Sequence, residues 1–389
     1  VSKISKKDLQ KREYLRDMRA VGMRVGKTGL ENKLDSEIIG NVGHKRYEVN
    51  AFGKRIKEVS IDQGKIGRDF RTTLDLELQN LSSKLLQKKA GSICVMDIYR
   101  GDIVTMVSSP VFDSNKFVHG INSKDWKELI THRDKPLINK SIAGLYPPGS
   151  TIKGLVAISA LENDVVNTKM VRRCTGSMDF YGEKFHCWKK KGHGYMTLKN
   201  AIKQSCDIYF YEVARLLGVD RLNETARRFG LGDIVLKNFF ENEKKGVFPS
   251  TKWKKEAIGQ NWYLGETLIT GIGQGYIQST PLQLCMMTAQ IANGGYAIKP
   301  KIIVDNNPIS YEDAKQSMES GLLFDTESEK LLDKKLFKNQ KNIKIVQEAM
   351  FASTNERFGT SYKSRIDDPK YQFAGKTGTA QVKRISKRE

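Results

Sequence analysis

Pro147-Pro148-Gly149-Ser150-Thr151-Ile152-Lys153 places a serine and a lysine three residues apart, where a loop containing prolines and a glycine leads into an apolar run. We expect a helix here, with Ser150 and Lys153 on one face, one turn apart. A serine hydroxyl is a weak nucleophile until a base takes its proton, and a lysine serves as that base only when its pKa is lowered. The pair is therefore a candidate acyl-transfer site, although most such pairs are solvated helix surface.

A second motif, Ser205-Cys206-Asp207, follows in the sequence. It precedes an amphipathic run over 208–214 that predicts a helix. A serine and a carboxylate at the start of a helix can take part in proton transfer if the fold brings them to Ser150.

The third motif is Lys376-Thr377-Gly378-Thr379, inside the segment 373–382. The mixture of Thr, Val and Phe with small residues predicts a strand that a ligand approaches closely. Gly378 would leave room for a substrate backbone, and the two threonine hydroxyls suit a carboxylate. Ser-x-x-Lys, Ser-x-Asp and Lys-Thr-Gly follow the order of the signature of serine β-lactamases and penicillin-binding proteins, with Asp207 where many of those proteins have asparagine.

The chain has 389 residues and a net charge of +22, which could favour nucleic acid, an anionic membrane surface or a polyanionic wall polymer. The lysines are scattered through every segment, and no helix-turn-helix, zinc-finger or RNA-binding pattern accompanies them. We therefore predict solvated basic faces and no nucleic-acid partner. Gly271–Gly275 lacks the Gly-Lys-Ser/Thr ending of a phosphate loop, so no nucleotide is expected.

The order of patterns predicts an α+β fold in two domains, 1–70 and 71–389. Short polar segments with glycines fill the first, and 92–98 with 102–107 read as a hairpin in the second. Strands on both sides of a helical block predict one antiparallel sheet built from both ends of the second domain and flanked by helices. The helical patterns begin at 72–79 and continue at 155–161, 197–217, 281–293 and 343–352. Lys27-Thr28-Gly29 repeats the third motif but precedes Ser150 in a polar region, so we predict a structural role.

With the three motifs placed, the chain resembles the class B penicillin-binding proteins, and especially their elongation-specific transpeptidases. The stretches that carry the resemblance are Gly22–Glu31, Thr73–Leu76, Gly144–Ser150, Gly192–Gly194, Gly271–Tyr276 and Gly375–Val382. The resemblance implies a transpeptidase domain of the penicillin-binding protein and serine β-lactamase fold, preceded by part of a β-rich pedestal (dimerisation-type) domain. It also implies a fragment, without an N-terminal membrane helix and without the closing C-terminal strands, from a protein of the bacterial inner membrane with its catalytic domain in the periplasm.

The resemblance further implies peptidoglycan D,D-transpeptidation. Ser150 would attack the D-Ala-D-Ala end of a stem peptide, with Lys153 as base and the charge of Lys376 keeping Lys153 neutral. Ser205 would relay the proton to the leaving amine, and Asp207 would hold Lys153 or its neighbours. Thr377, Gly378 and Thr379 would bind the substrate, with the backbone N–H groups of Ser150 and Thr379 as oxyanion hole. β-Lactams would acylate Ser150, and a glycosyltransferase and the elongation complex would be partners.

Four residues between the first two motifs form a candidate metal site. These are Cys174, Cys187, His193 and Cys206. Three thiolates and one imidazole are the ligands of a closed structural zinc site. A Cys174–Cys187 disulfide or unrelated buried thiols are alternatives, and His186 is the rival nitrogen ligand. Some similar transpeptidases carry zinc in this region, so we predict a structural zinc that fixes the Ser205–Asp207 motif.

Rival functions remain open on the same fold. A D,D-carboxypeptidase or β-lactamase would use water as acceptor, a β-lactam-sensing receptor would only be acylated, and a division-type transpeptidase would differ in its cellular role. The pedestal-like first domain favours the biosynthetic enzyme over the hydrolases and over the receptor. Gly144–Gly149 and the cysteine–histidine cluster favour the elongation type over the division type.

Overall fold

The structure of the chain is a computed structural model that describes residues 1–17, 23–237, 239–305, 308–320, 322–325, 330–333 and 335–380. The strands are β1 (Ser2–Lys3), β2 (Arg24–Val25), β3 (His44–Val49), β4 (Arg55–Asp62), β5 (Gly91–Met96), β6 (Ile103–Ser109), β7 (Arg172–Cys174), β8 (Ser177–Phe180), β9 (Glu183–His186), β10 (Gly194–Met196), β11 (Leu322–Asp325) and β12 (Lys330–Asp333). Within the described ranges they pair as two-stranded antiparallel ladders: β1–β2, β3–β4, β5–β6, β7–β10, β8–β9 and β11–β12.

Helices make up most of the remaining regular structure. They are α1 (Lys6–Lys11), α2 (Tyr14–Asp17), α3 (Gly29–Lys33), α4 (Asp35–Ile38), α5 (Leu76–Leu85), α6 (Ser123–Thr131), α7 (Lys140–Ala143), α8 (Lys153–Glu162), α9 (Leu198–Lys203), α10 (Asp207–Leu217), α11 (Val219–Arg228), α12 (Thr251–Ile258), α13 (Leu264–Thr270), α14 (Pro281–Ala292), α15 (Tyr311–Glu319) and α16 (Gln340–Asn355). The predicted α+β class is confirmed, as are the hairpin β5–β6 and the helices at 281–293 and 343–352. The helical pattern over 197–217 is two helices, because residues 204–206 leave the helical path between α9 and α10.

The first domain is held by a buried carboxylate rather than by a large apolar core. Asp35 is 7% exposed and accepts hydrogen bonds from Arg12 Nη1 at 2.7 Å, Tyr14 Oη at 2.6 Å and the backbone N–H of Gly26 at 2.7 Å. Thr28 is the N-cap residue of α3, and Lys27 forms an ion pair with Asp8. These contacts agree with the structural role predicted for Lys27-Thr28-Gly29.

The core of the second domain surrounds α8. Every residue of this helix from Lys153 to Leu161 is buried, as expected of a helix that is apolar on all sides. Helices α10, α11 and α16 pack around it, and α14 lies against α16 and the hairpin β5–β6. The residues of β6 alternate between buried and half-buried, so the hairpin turns one face toward the core.

The strand predicted over 373–382 is wrong for the residues that the structure describes, 373–380, which have no ladder partner. Gln381 and Val382 lie outside the described residues. Instead, two residues of α16 form hydrogen bonds with the backbone of this segment. The carbonyl of Met350 accepts from the backbone N–H of Gly375 at 3.1 Å, and Asn355 Nδ2 donates to Phe373 O at 2.9 Å. In the described part of the chain, β5 and β6 pair only with each other, so the single sheet predicted from both ends of the domain is not seen there, and a cavity of about 500 Å³ lies between the segment and β5.

No helix among the described residues combines the length and the apolar character that a membrane span requires.

Candidate active site

Ser150 lies on a 3₁₀ turn, Gly149–Ile152, that leads directly into α8, whose first residue is Lys153. The prediction that the helix itself carries Ser150 is therefore wrong by one turn. Pro147 and Pro148 limit the preceding backbone, and Gly149 has φ +57°, so the chain enters the helix through a tighter turn. A 3₁₀ turn has three residues per turn, which keeps Ser150 and Lys153 on one face.

The ammonium group of Lys153 is fully buried and makes three hydrogen bonds. Its Nζ lies 2.7 Å from Asp207 Oδ1, 3.0 Å from Ser205 O and 3.3 Å from Ser205 Oγ. These acceptors match the three protons of an ammonium, so in this arrangement Lys153 is a donor. The sequence prediction that Asp207 holds Lys153 agrees with this geometry.

Lys376 reaches the same serine from the other side. Its Nζ lies 2.9 Å from Ser205 Oγ and 2.8 Å from Thr377 O. Burial and the neighbouring charge of Lys153 lower the pKa of Lys376 to about 7, against the attraction of Asp207. This lowered pKa differs from the sequence interpretation, in which Lys376 carried the charge.

Glycines allow the first and third motifs to interlock. A Cβ at Gly149 would lie 2.5 Å from Thr379 O, and one at Gly378 would lie 2.6 Å from Thr151 Cγ2. Gly378 therefore makes room for the turn that carries Ser150, and its role beside a substrate backbone stays a prediction. Gly273 also belongs to this contact, because its carbonyl accepts the backbone N–H of Gly149 at 2.9 Å.

The predicted substrate-binding residues line the exposed side of this junction. The hydroxyl groups of Thr377 and Thr360 are 2.8 Å apart, and Thr379 O accepts from Gln274 Nε2 at 3.1 Å. Thr377, Gly378 and Thr379 are all exposed, so a ligand can reach them. Thr360 lies in none of the three motifs and was not predicted, whereas Gln274 belongs to the Gly271–Tyr276 stretch on which the family resemblance rests.

The four predicted metal ligands form a cluster behind the Ser205–Asp207 motif. The ligand atoms of Cys174, Cys187, His193 and Cys206 all lie within 4.8 Å of one another. All five cysteines are free thiols in the structure, and the exposed His186 lies outside the cluster.

The electrostatics of the cluster favour the thiolate form of Cys187. A hydrogen bond from Cys206 lowers the pKa of Cys187, and His193 and the backbone N–H groups of Lys189 and Asp207 act in the same direction. The same contact raises the pKa of Cys206. His193 Nδ1 lies 3.5 Å from the sulfurs of both Cys174 and Cys187. Three sulfurs and one imidazole nitrogen, mostly buried, fit the ligand set of a structural zinc ion.

A serine on a turn, two lysines that converge on a second serine and a carboxylate on the first lysine are the groups that serine acyl transfer requires. The chain belongs to the penicillin-binding protein transpeptidase family. Residues 91–389 match the penicillin-binding protein transpeptidase domain, and residues 1–72 match the penicillin-binding protein dimerisation domain.

Within this family the chain is a homologue of the elongation-type enzyme MrdA, or penicillin-binding protein 2. It is 33% identical to the peptidoglycan D,D-transpeptidase MrdA of Acinetobacter baumannii over 99% of this chain and 55% of that protein. It is 32% identical to MrdA of Escherichia coli over 98% of this chain and 59% of that protein. The chain thus spans a little more than half the length of these relatives.

A solved structure of the complex between penicillin-binding protein 2 and MreC from Helicobacter pylori has the same fold. Its TM-score is 0.84 at 32% identity, with 97% of this chain and 66% of that chain covered. The transpeptidase fold and the accompanying dimerisation domain expected from sequence are confirmed.

Proposed function

We propose that the chain is the catalytic part of an elongation-type peptidoglycan D,D-transpeptidase with Ser150 as its nucleophile. The observation that carries the proposal is that Lys153, Ser205, Asp207 and Lys376, which span more than 200 residues of sequence, converge at hydrogen-bond distances beside the Ser150 turn. The naming of similar proteins as D,D-transpeptidases supports the same reaction.

The proton path follows from the charge states of the two lysines. Lys153 donates a proton to Ser205 Oγ over 3.3 Å, while the Ser205 hydroxyl donates its own proton to the neutral amine of Lys376 over 2.9 Å. This exchange leaves Lys153 neutral and Lys376 charged. Lys153 can then take the proton of Ser150 as general base.

The neutral Lys153 allows the chemical step. Ser150 Oγ forms a bond to the carbonyl carbon of the penultimate D-alanine, and the peptide bond to the terminal D-alanine breaks. The leaving amine receives a proton through Ser205. An amine of a second stem peptide then attacks the ester, forms the cross-link and returns Ser150 to its hydroxyl form.

Two sets of groups would support that reaction. The backbone N–H groups of Ser150 and Thr379 would bind the developing oxyanion, and the hydroxyls of Thr377 and Thr379 would bind the terminal carboxylate. β-Lactams would acylate Ser150 in place of the stem peptide.

Product analysis with the full-length protein separates transpeptidation from hydrolysis. When an acceptor amine is present, a donor ending in D-Ala-D-Ala is expected to give a cross-linked product and free D-alanine. Without the acceptor amine, it is expected to give free D-alanine but no cross-linked product. Ser150→Ala should abolish both products, and Ser123→Ala, which changes an exposed serine of α6, should leave them unchanged. Release of D-alanine without any cross-link at saturating acceptor would indicate a carboxypeptidase instead.

We further propose that Cys174, Cys187, His193 and Cys206 hold a structural zinc. The metal would carry no step of the reaction. Because Cys206 lies between Ser205 and Asp207, it would fix the position of both groups relative to Lys153.

The zinc proposal is tested by metal analysis of the purified protein. About one zinc per chain is expected, with Cys174→Ser losing the metal and the melting temperature falling on chelation. Cys285→Ser is the matched control, since Cys285 lies outside the cluster and should not affect zinc content. A purified protein without zinc, or one with a Cys174–Cys187 disulfide, would contradict the proposal.

We also propose the cellular setting by analogy. The Helicobacter pylori relative is solved in complex with MreC, and another solved relative is part of a peptidoglycan synthase complex. On that basis this chain would work in the periplasm, tethered to the inner membrane, beside a glycosyltransferase of the elongation machinery.

A further inference from the structure

Trp188 has no role in the reaction described above, yet it lies between the cysteine–histidine cluster and the Ser205–Asp207 motif. It follows Cys187 directly, and its ring packs edge-on against His193 with the ring centroids 5.3 Å apart. The side chain is 59% exposed, so packing alone does not account for an indole at this position.

Two N–H groups of Trp188 donate into the second motif. Its backbone N–H donates to Asp207 Oδ2 at 2.8 Å, while Asp207 Oδ1 takes the ammonium of Lys153. Its indole Nε1 donates to Ser205 O at 3.0 Å and is also within 3.1 Å of Gln204 O. One residue therefore binds the free oxygen of the carboxylate and the backbone of the relay serine.

Ser205 needs such support because its backbone has φ +54°, a conformation that side chains other than glycine rarely adopt. The helix α9 ends in a Schellman-type turn, in which the N–H of Cys206 bonds to Ala201 O and that of Ser205 to Ile202 O. The residue at this left-handed position is usually glycine. Here it is a serine, whose hydroxyl is placed between Lys153 and Lys376 by that backbone.

The Ser205 carbonyl is held from two directions. Lys153 Nζ donates to it at 3.0 Å, and the indole of Trp188 donates to it at 3.0 Å. Rotation of the Ser205 backbone toward an ordinary conformation would break both bonds. It would also move Ser205 Oγ away from Lys376.

We propose that Trp188 is a positioning residue for acyl transfer, which holds Ser205 in its left-handed conformation through the indole N–H and orients Asp207 through its backbone N–H. The inference rests on the proposed function, because it gives Ser205 the proton relay described above. It predicts that the indole N–H affects the rate of acylation and not the binding of the β-lactam.

The test replaces the donor and keeps an aromatic ring. In the full-length protein, Trp188→Phe is expected to lower the first-order acylation rate constant for a penicillin about 5- to 30-fold, the effect of one lost hydrogen bond. The dissociation constant of the initial complex should stay within about twofold, since no binding group changes. Zinc content and melting temperature should match the unmodified protein. Trp126→Phe, at another partly exposed tryptophan in α6, is the matched control and should acylate normally.

Three results would overturn the inference. The first is normal acylation by Trp188→Phe, and the second is a loss of rate accompanied by loss of zinc or of thermal stability. The third is a crystal structure of Trp188→Phe in which Ser205 keeps its left-handed backbone and its hydroxyl position. That structure also separates the two proposals, because it decides the role of Trp188 even if the unmodified protein forms no acyl-enzyme and the proposed function fails.

Discussion

Lys153 and Lys376 approach the Ser205 hydroxyl from opposite sides, and their charges are compensated differently. Lys153 is paired with Asp207 at 2.7 Å, whereas among the described residues the Lys376 amine contacts two neutral oxygens, Ser205 Oγ at 2.9 Å and Thr377 O at 2.8 Å. Two ammonium groups this close repel each other, so the lysine without a carboxylate partner loses its proton more easily. Before acylation, Lys153 is therefore expected to be the charged lysine and Lys376 the neutral one.

The pH dependence of acylation follows from the Lys376 pKa of about 7, lowered by burial and by the charge of Lys153. Below that pH Lys376 is protonated and cannot accept a proton from Ser205. The acylation rate of Ser150 is therefore expected to fall about tenfold per pH unit below this value and to level off above it.

Arginine substitution checks the assignment, because a guanidinium stays charged in this range. Lys376→Arg should acylate slowly at every pH and show no inflection near neutrality, whereas Lys370→Arg, at an exposed lysine, should keep the normal profile. The acylation rates are measured by stopped-flow with a non-titrating β-lactam. A rate that stays constant between about pH 5 and 9 in the unmodified protein would contradict the assignment.

At the scale of elements, the loop 271–276 between α13 and α14 supports both Gly149 and Thr379. An ion pair lies next to this loop. Lys254 of α12 is fully buried, and its Nζ lies 2.6 and 2.7 Å from the two carboxylate oxygens of Glu266 of α13. The hydroxyl of Tyr276 donates to the same carboxylate at 3.1 Å. The ion pair therefore fixes the end of the loop that contacts the Ser150 turn.

Lys254→Met is expected to lower the free energy of unfolding by about 2–4 kcal/mol, because it leaves the Glu266 carboxylate, which is only 18% exposed, without its cation. Lys252→Met, on the same helix, removes an exposed pair with Glu256 and should cost less than about 1 kcal/mol. Chemical denaturation measures both. Equal effects of the two substitutions would show that the buried pair does not stabilise the loop.

The elements also show which parts of the fold the sequence could predict. Periodicity predicted α14, α16 and the hairpin β5–β6, because each has a continuous apolar pattern. It was wrong for 373–380, where strand-forming residues have no partner strand and are held by groups of α16 instead. Strand propensity expresses how well a residue packs between neighbours, so it cannot show that the neighbours are absent.

The candidate site was predictable where chemistry resides in short motifs and not where it depends on backbone geometry. The three motifs that contain Ser150, Ser205 and Lys376, taken in their order along the chain, were sufficient to expect acyl transfer. The left-handed backbone of Ser205 and the two donors of Trp188 were not predictable, because they come from a helix end and from a loop that lies 17 residues earlier.

At the scale of the whole molecule, the active site forms where three segments that are distant in sequence meet, and one of them is the buried helix α8. Helix α8 carries Lys153, the junction of α9 and α10 carries Ser205 and Asp207, and α16 holds the segment with Lys376. The packing of α10 and α16 against α8 therefore brings the nucleophile and its proton relay together. Acyl transfer at Ser150 is the central claim that this architecture supports.

Mapping the site of penicillin attachment tests that claim most directly. The full-length protein, incubated with a penicillin and digested, should give one peptide heavier by the mass of the antibiotic, with fragmentation placing the addition on Ser150. Ser150→Ala should give no such peptide. Attachment at any other residue, or labelling that survives Ser150→Ala, would contradict the account.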